Sequence, residues 1–417
     1  MNDGSRAADA AVDVEDLLRA EAPHVLGALT RRFGRFEVAE DAVQEALLAA
    51  SGAWPTEGVP SHPRGWLIRV GYRRMVDLLR SEQARHRRER DVSLAERATR
   101  APEPVPETDD SLLLLLLCCH PELAPTSQVA LTLRAVGGLT TAEIAHAFGT
   151  TEATMGTRIS RAKQRLARTG ARFTLPDAAD RDSRTAAVTR VLYLVFNEGY
   201  TATAGDTLTR VDLTSEAIRL TRMLHAAAPA DAEVTGLLAL MLLIESRRAA
   251  RTDEDGALVP LDEQDRTCWD QALIREGTAL VDGVWVRRAT GPYQLQAAVA
   301  ALHAAAPTSQ RTDWPQIAML YLWLERLTPT APVRLSRVVA VARAFGPARG
   351  LALLDDLNHR HGLDRDPLTR PRERAVRAHL THLAGDATRA ATLYREAADL
   401  TDNQVERRYL RDRAAGG

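Results

Sequence analysis

Two stretches of this 417-residue chain carry side chains whose types and spacing suit contact with phosphates and bases. In the first, Arg69, Arg73, Arg74 and Arg80 recur along a run whose apolar residues, Ile68, Tyr72, Met75 and Leu79, step by four, three and four. That spacing predicts a helix with one apolar stripe and guanidinium groups on its other faces. In the second, Thr154, Thr157, Arg158, Ser160, Arg161, Lys163, Arg165 and Arg168 face away from a stripe of Met155, Ile159, Ala162 and Leu166. Short polar groups near a helix N-terminus suit base edges, and the bases beyond them suit phosphates. The bland alternative is a helical hairpin with a basic solvated face.

The flanking residues supply an element that would position the second set. Thr140 followed by Glu143 is a capping box, in which hydroxyl and carboxylate satisfy each other's free backbone amides. Ile144, Ala145 and Phe148 form an inner face, and Gly149 stands where a helix commonly ends in a left-handed residue. Thr151 can cap the next helix, and Ala145 is small where two helices must cross closely. Together these predict a helix-turn-helix.

Summed charge points the other way. With 54 Lys+Arg against 55 Asp+Glu the net charge is -1, unlike the basic footprint usual for a nucleic-acid binder. Along the chain, however, the balance is -6 over 1–60, +6 over 61–90, -5 over 91–122, zero over 123–150 and +5 over 151–172. Two basic blocks between acidic ones suggest two patches aimed at a polyanion, with acidic faces left for other partners. Lys163 is the only lysine; the bias toward arginine favours bidentate contacts and also fits codon usage in a GC-rich genome.

With 45% hydrophobic residues the composition excludes a wholly disordered chain, collagen or a coiled-coil rod. Three cysteines exclude a disulfide scaffold and suit a reducing cytoplasm. The acidic first residues are unlike a signal peptide, and the longest apolar run, Leu112 to Cys119, is far below the ~20 residues of a membrane helix. No membrane association is expected.

Nearly all periodic stretches have helical spacing, so the expected fold class is all-α. The stretch APEPVPETDD, 101–110, reads as a solvated linker, and LPDAADRDS, 175–183, marks a softer boundary. The expected division is a first module over 1–96, a linker over 97–110, a helix-turn-helix module over 111–173 and a helical extension over 184–417.

These residues carry a resemblance. Asp41 to Leu47 (DAVQEAL), Trp66 to Val70 (WLIRV), Asp77 to Arg80 (DLLR) and the helix-turn-helix ending at Lys163 resemble a sigma factor of the extracytoplasmic-function type in the sigma-70 family. Cys118 to Pro125, Leu192 to Tyr200 (LYLVFNEGY), Asp262 to Arg266, Trp269-Asp270 and Gly291 to Ala298 resemble the group of these factors with a long tetratricopeptide-like extension. The resemblance implies that the first module is region 2 and the second region 4, with core RNA polymerase and promoter DNA as partners.

Residue by residue, it implies that Asp41, Gln44 and Glu45 dock on core polymerase. The loop from Pro60 to Gly65, including Ser61, His62 and Arg64, would capture a flipped base of the minus-ten element. Arg69, Arg73, Arg74 and Arg80 would hold the melted strand. Trp66 reads as a core anchor or as a stacking platform. Thr154, Thr157, Ser160, Arg161, Lys163 and Arg165 would meet the minus-thirty-five element, with Arg158 on phosphate. Gly156 stands where relatives commonly carry a basic residue.

In the extension, Gly385-Asp386-Ala387 with Ala390, Ala391, Tyr394, Ala397 and Leu400, followed by Asp402-Asn403, fits a tetratricopeptide second helix. Gly346, Ala348, Gly350 and Leu354 echo it, predicting stacked helix pairs. Asn197, Glu198, Tyr200, Asp265, Tyr293 and Gln296 are expected to face a protein partner or another part of the chain. Asn197, Glu198, Asp262, Asp265 and Asp270, or His359 with His361, invite an enzyme reading. No metal-ligand spacing, phosphate loop, nucleophile elbow or dinucleotide motif accompanies them, so no cofactor or catalysis is expected. Cys118-Cys119-His120 reads as a buried helix end, and RTDEDG, 251–256, is too crowded for a calcium loop. A stand-alone helix-turn-helix regulator is the rival that leaves Asp41 to Arg80 unexplained; an enzyme housed in the extension is the other.

Overall fold

The computed structural model describes residues 3–86, 110–148, 150–171, 173–174, 178–200, 211–254, 256–285, 290–401 and 403–416. Gly149, Asp255, Asp402, the boundary at Glu96 and all of the expected linker except Asp110 lie outside them. Among the described residues every regular element is a helix, and an isolated bridge pairs Thr252 with Leu258. The chain forms two compact units, 1–191 and 192–417.

In the first unit, α1 (Asp3–Phe33), α2 (Phe36–Glu57) and α3 (Pro63–His86) pack against one another. Ala39, Ala42, Ala46 and Ala50 make one side of α2 thin and fully buried, which lets its neighbours approach closely. Gly71 of α3 extends that approach: a Cβ there would stand 2.8 Å from Leu29 Cδ1. The buried stripe of α3 is therefore Leu67, Gly71, Met75 and Val76. It is displaced from the expected one; Ile68, Tyr72 and Leu79 are only half-buried. The displacement follows from Gly71, which contributes to the crossing without an apolar side chain. Trp66 packs edge-on against the buried Trp54 at 5.5 Å between ring centroids, as a core anchor does.

The second module follows as α4 (Ser111–Cys118), α5 (Pro125–Ala135), α6 (Thr141–Ala147) and α7 (Glu152–Thr169). Leu114 to Cys119 are buried, so the cysteine pair is the core-facing end of a helix. α5 and α6 pack on α7, while α4 and α5 also reach α1 and α7 reaches α2. Gly138 (φ +67°) ends the turn before α6, and a side chain there would meet the Arg19 carbonyl at 2.8 Å.

Helix α8 (Ala178–Tyr200) begins within the expected boundary stretch and contains the division at Val191/Leu192. The second unit continues with α9 (Val211–Ala227), α10 (Ala232–Glu245), α11 (Gln271–Trp285), α12 (Pro292–Ala305), α13 (Trp314–Leu327), α14 (Ala331–Phe345), α15 (Pro347–His361), α16 (Arg370–Leu383), α17 (Ala387–Leu400) and α18 (Gln404–Ala415). α10 is apolar on all sides and is enclosed by α9, α11 and α12. From α12 onward each helix packs on the next in sequence, the arrangement of a helical solenoid. Small residues set the crossings: a Cβ on Gly350 would stand 2.5 Å from that of Ala342. Gly385 (φ +94°) turns the chain between α16 and α17, where Ala390, Leu393, Tyr394 and Ala397 fill the interior.

Candidate nucleic-acid interface

The helix-turn-helix is built as its local chemistry dictates. Glu143 N–H donates to Thr140 Oγ1 at 3.1 Å and Thr140 N–H donates to Glu143 Oε2 at 2.6 Å, completing the capping box. Thr151 accepts from Thr154 N–H at 3.2 Å and starts α7. Ile144 and Ala145 are buried beneath it, Phe148 is half-buried, and Met155, Ile159, Ala162 and Leu166 are all buried. The opposite face presents Thr154, Thr157, Ser160, Arg161 and Arg165 to solvent, with Arg158 half-buried. Arg165 pairs with Glu122 at 2.5 Å, both half exposed. Burial raises and the Thr140 amide and Arg19 lower the Glu143 carboxyl, which ends below its ordinary value. Arg19 Nη2 reaches it from α1 at 2.7 Å.

In the first module Arg69, Arg73, Arg74 and Arg80 are exposed along α3. The expected capture loop is shorter than anticipated. Pro63 opens α3, so Arg64 and Gly65 belong to its first turn and only Pro60, Ser61 and His62 remain outside, the last two exposed. Proline suits that position because its missing N–H would be unsatisfied there anyway. Arg64 is held by Glu21 at 2.5 Å.

Asp41, Gln44 and Glu45 share one face of α2, Asp41 exposed and the others half-buried. The structure brings them together with a residue expected on DNA. Lys163 Nζ lies 2.5 Å from Asp41 Oδ1 and 2.7 Å from Glu40 Oε2, and its side chain is only 12% exposed. Arg134 of α5 donates through Nε to Glu40 Oε1 at 3.0 Å and through Nη1 to the Leu139 carbonyl at 3.1 Å. The Glu40 carboxylate is thus buried between two cations of the second module. Burial pulls the Lys163 ammonium down, but Glu40 and Asp41 outweigh it and hold the group above its ordinary value. Arg74 Nε of α3 pairs with Glu45 on this same face at 3.1 Å. Lys163 therefore does not share the exposed face of Arg161 and Arg165 in this arrangement. Glu40 and Arg134 escaped sequence reasoning; the only local signal was a second carboxylate beside Asp41.

Of the residues in the extension expected to face a protein partner or another part of the chain, one is buried, four are half-buried and one is exposed. Glu198 is buried on α8. Tyr200 lies under the Arg251 guanidinium at 3.5 Å and accepts from Arg247 at 3.1 Å through its hydroxyl. Tyr293 packs on Tyr193 at 5.3 Å, and the Tyr193 hydroxyl donates to Gln296 Oε1 at 3.0 Å. These aromatic and amide groups clamp α8 to α12, because a half-buried phenol or amide needs a partner for its polar end. Asn197 is half-buried. Asp265 is exposed and accepts from the Thr267 hydroxyl at 2.7 Å and from Thr267 N–H at 2.9 Å, which keep its carboxyl below the usual range. Among the described residues no group of three or more His, Cys, Asp or Glu side chains is arranged to hold a metal ion. None of the described helices is long and apolar enough to cross a membrane.

An arginine-faced helix bundle followed by a capped helix-turn-helix defines an all-helical DNA-binding protein with two basic patches. Residues 17–85 match the family model of sigma-70 region 2, residues 113–166 that of sigma-70 region 4, and residues 184–284 a family of unknown function, DUF6596. An uncharacterised protein of Rhizobium meliloti (strain 1021) is 42% identical over 402 residues, 93% of this chain and 92% of that one. A probable ECF RNA polymerase sigma factor, SigI, of Mycobacterium tuberculosis is 29% identical over 153 residues, 36% of this chain and 52% of that protein. No solved structure matches the chain. The chain carries sigma-70 regions 2 and 4 in that order, followed by a helical C-terminal extension, and its first part is similar to an extracytoplasmic-function sigma factor.

Proposed function

We propose that this sigma factor directs core RNA polymerase to a two-part promoter in the bacterial cytoplasm, and that its extension sets its activity without catalysis of its own. Region 2 docks on polymerase through Asp41, Gln44 and Glu45, whose carboxylates suit a basic surface. Ser61 and His62 take a flipped minus-ten base, and Arg69, Arg73, Arg74 and Arg80 hold the melted strand. Thr154, Thr157, Ser160 and Arg161 read the minus-thirty-five element, with Arg158 and Arg165 on phosphates. The observation that carries this reading is the pairing of an exposed arginine face on α3 with an exposed polar and basic face on α7, in the order of regions 2 and 4.

Reversing charge with Asp41→Arg and Glu45→Arg tests the docking surface. Affinity for core polymerase should fall at least tenfold, while Arg161→Ala leaves it unchanged. Equal affinity for all three proteins would remove the docking assignment. For the extension, a chain ending at Tyr200 should differ from the full chain in promoter-specific transcript yield, through loss of a protein partner or of a contact within the chain. Identical yields would remove the regulatory role.

A further inference from the structure

One cleft of the extension gathers more cations than its carboxylates balance. It encloses about 160 Å³, and its walls include Arg266, His303, Trp314, Arg343 and His379 together with Asp262. Arg266 opens a short turn before α11, and the others bring α12, α13, α14 and α16 to the same place. Arg343 faces Asp262 at 3.4 Å, and Arg413, which acts on His379, pairs with Glu263 at 3.4 Å. Those two cations are matched. Among the described residues neither Arg266 nor Arg247 pairs with a carboxylate. Arg266 Nη1 donates to the carbonyls of His303 and Ala306, and its guanidinium lies over the Trp269 indole at 4.8 Å. Arg247 approaches the same ring at 6.0 Å and donates to the Tyr200 hydroxyl at 3.1 Å. Neutral partners orient a guanidinium but leave its charge in place.

His303 is the second observation. Its ring is 9% exposed, lines the cleft edge-on to Trp314, and has an Nδ1 without a hydrogen-bond partner. Burial, with Arg247, Arg266 and Arg343 around it, keeps the imidazole neutral. A buried polar atom with no partner is uncommon in a folded protein, and in the Nδ1–H tautomer it is a donor awaiting an acceptor.

We propose that this cleft binds a small organic acid through its carboxylate. The ligand's oxygens take free donors of Arg343 and Arg266 and the Nδ1–H of His303, and its carbon body lies against Trp314 and Val339. Arg266 has these donors to give: Nη1 is engaged, while Nη2 reaches Thr312 Oγ1 only at 3.4 Å. A guanidinium fork suits a carboxylate because its parallel N–H groups meet two oxygens at once. Size excludes larger anions. The cleft holds about five water volumes at ~30 Å³ each, well below the ~300–1,000 Å³ of pockets for drug-sized ligands, so nucleotides and peptides do not fit. Leu261, Trp314 and Val339 make part of the wall apolar. That wall favours a carboxylate with a carbon body over phosphate or sulfate, whose further oxygens would face it unpaired. The anion supplies the charge that Arg247 and Arg266 lack, and it does so only in the folded extension. The proposal does not depend on the sigma-factor reading of the front modules.

The test is titration calorimetry on the full chain at fixed ionic strength. Propanoate and pyruvate are the carboxylate probes, propanamide is the neutral isostere, and phosphate and sulfate are the inorganic anions. The carboxylates should bind with Kd of about 0.01–1 mM, the range open to ligands of so few atoms, and propanamide should give no heat. Arg343→Gln and His303→Leu should each weaken binding by about tenfold or more, with far-UV circular dichroism to confirm retained helix. Arg326→Gln, at an exposed position of α13 outside the cleft, should leave it unchanged. Propanoate should also raise the urea midpoint of the unsubstituted chain as its concentration rises, as a ligand of the folded state alone does. Phosphate or sulfate binding as tightly as the carboxylates would mark an unselective anion site and overturn the assignment to organic acids. No binding of either carboxylate up to about 10 mM, or unchanged affinity in both folded variants, would overturn the site itself.

Discussion

Acid should loosen the extension through one histidine. His303 of α12 is 9% exposed, edge-on to Trp314 at 5.2 Å, and faces Arg266 and Arg343 across a small cleft. Burial, then the positive charges of Arg247, Arg266 and Arg343, push its pKa from 6.5 down to about 3. Above pH 6.5 the imidazole is neutral in both folded and unfolded chains and contributes no pH dependence. Between 6.5 and 3 the unfolded chain takes a proton that the folded chain refuses, so stability falls as pH falls, by about 1.4 kcal/mol per unit. Moving from pH 7 to pH 5 should therefore cost about 2 kcal/mol, a figure insensitive to where below 5 the folded value lies. Glu233 and Glu245, both raised chiefly by burial, act in the opposite sense as they protonate, and His379, lowered chiefly by burial, adds to the loss. A comparison with His303→Leu at both pH values isolates the one group. In urea denaturation, with m of about 2–3 kcal/mol/M, the native midpoint should drop about 0.7–1 M further than the variant's between pH 7 and pH 5. Equal drops in the two proteins would refute protonation of His303 as the cause.

Cys268 is exposed while Cys118 and Cys119 are fully buried, with burial pushing Cys119 to about 12; one thiol of three should react rapidly with a soluble disulfide reagent, and the other two only on unfolding. Fast reaction of two or three would contradict the buried end of α4. A methyl group added at Gly156 would meet only Thr141 Cγ2, at 3.8 Å, so Gly156→Ala should raise the stability of the first unit by up to ~1 kcal/mol, seen as a higher melting temperature. A loss would show that the glycine is needed for backbone approach. Arg161→Ala should cost about 1–3 kcal/mol of promoter affinity at one base step; equal loss on every sequence would reassign the residue to phosphate.

Much of the interface was legible because it is local. The capping pair Thr140 and Glu143 and the stripe Met155, Ile159, Ala162 and Leu166 lie within one turn or one helix face, where spacing alone fixes the geometry. The stripe of α3 was read in the wrong register because the crossing runs through Gly71, whose contribution is the side chain it lacks. The node at Glu40 was not legible at all. Its partners are 94 and 123 residues away, and a carboxylate that will be buried is written in the same letter as one that stays in water. Glu198, Tyr200, Tyr293 and Gln296 were expected to face a protein partner or another part of the chain; Glu198 is buried, and Tyr293 and Gln296 meet Tyr193 of α8.

Run-off transcription with purified core polymerase, on a supercoiled library of promoter fragments, tests the function most directly. Addition of the full chain should produce starts at a restricted set of fragments sharing two elements, with Arg161→Ala altering one element and substitutions on α3 the other. Polymerase that starts at the same sites with or without the chain, or a chain that binds duplex tightly and selectively without polymerase, would contradict it.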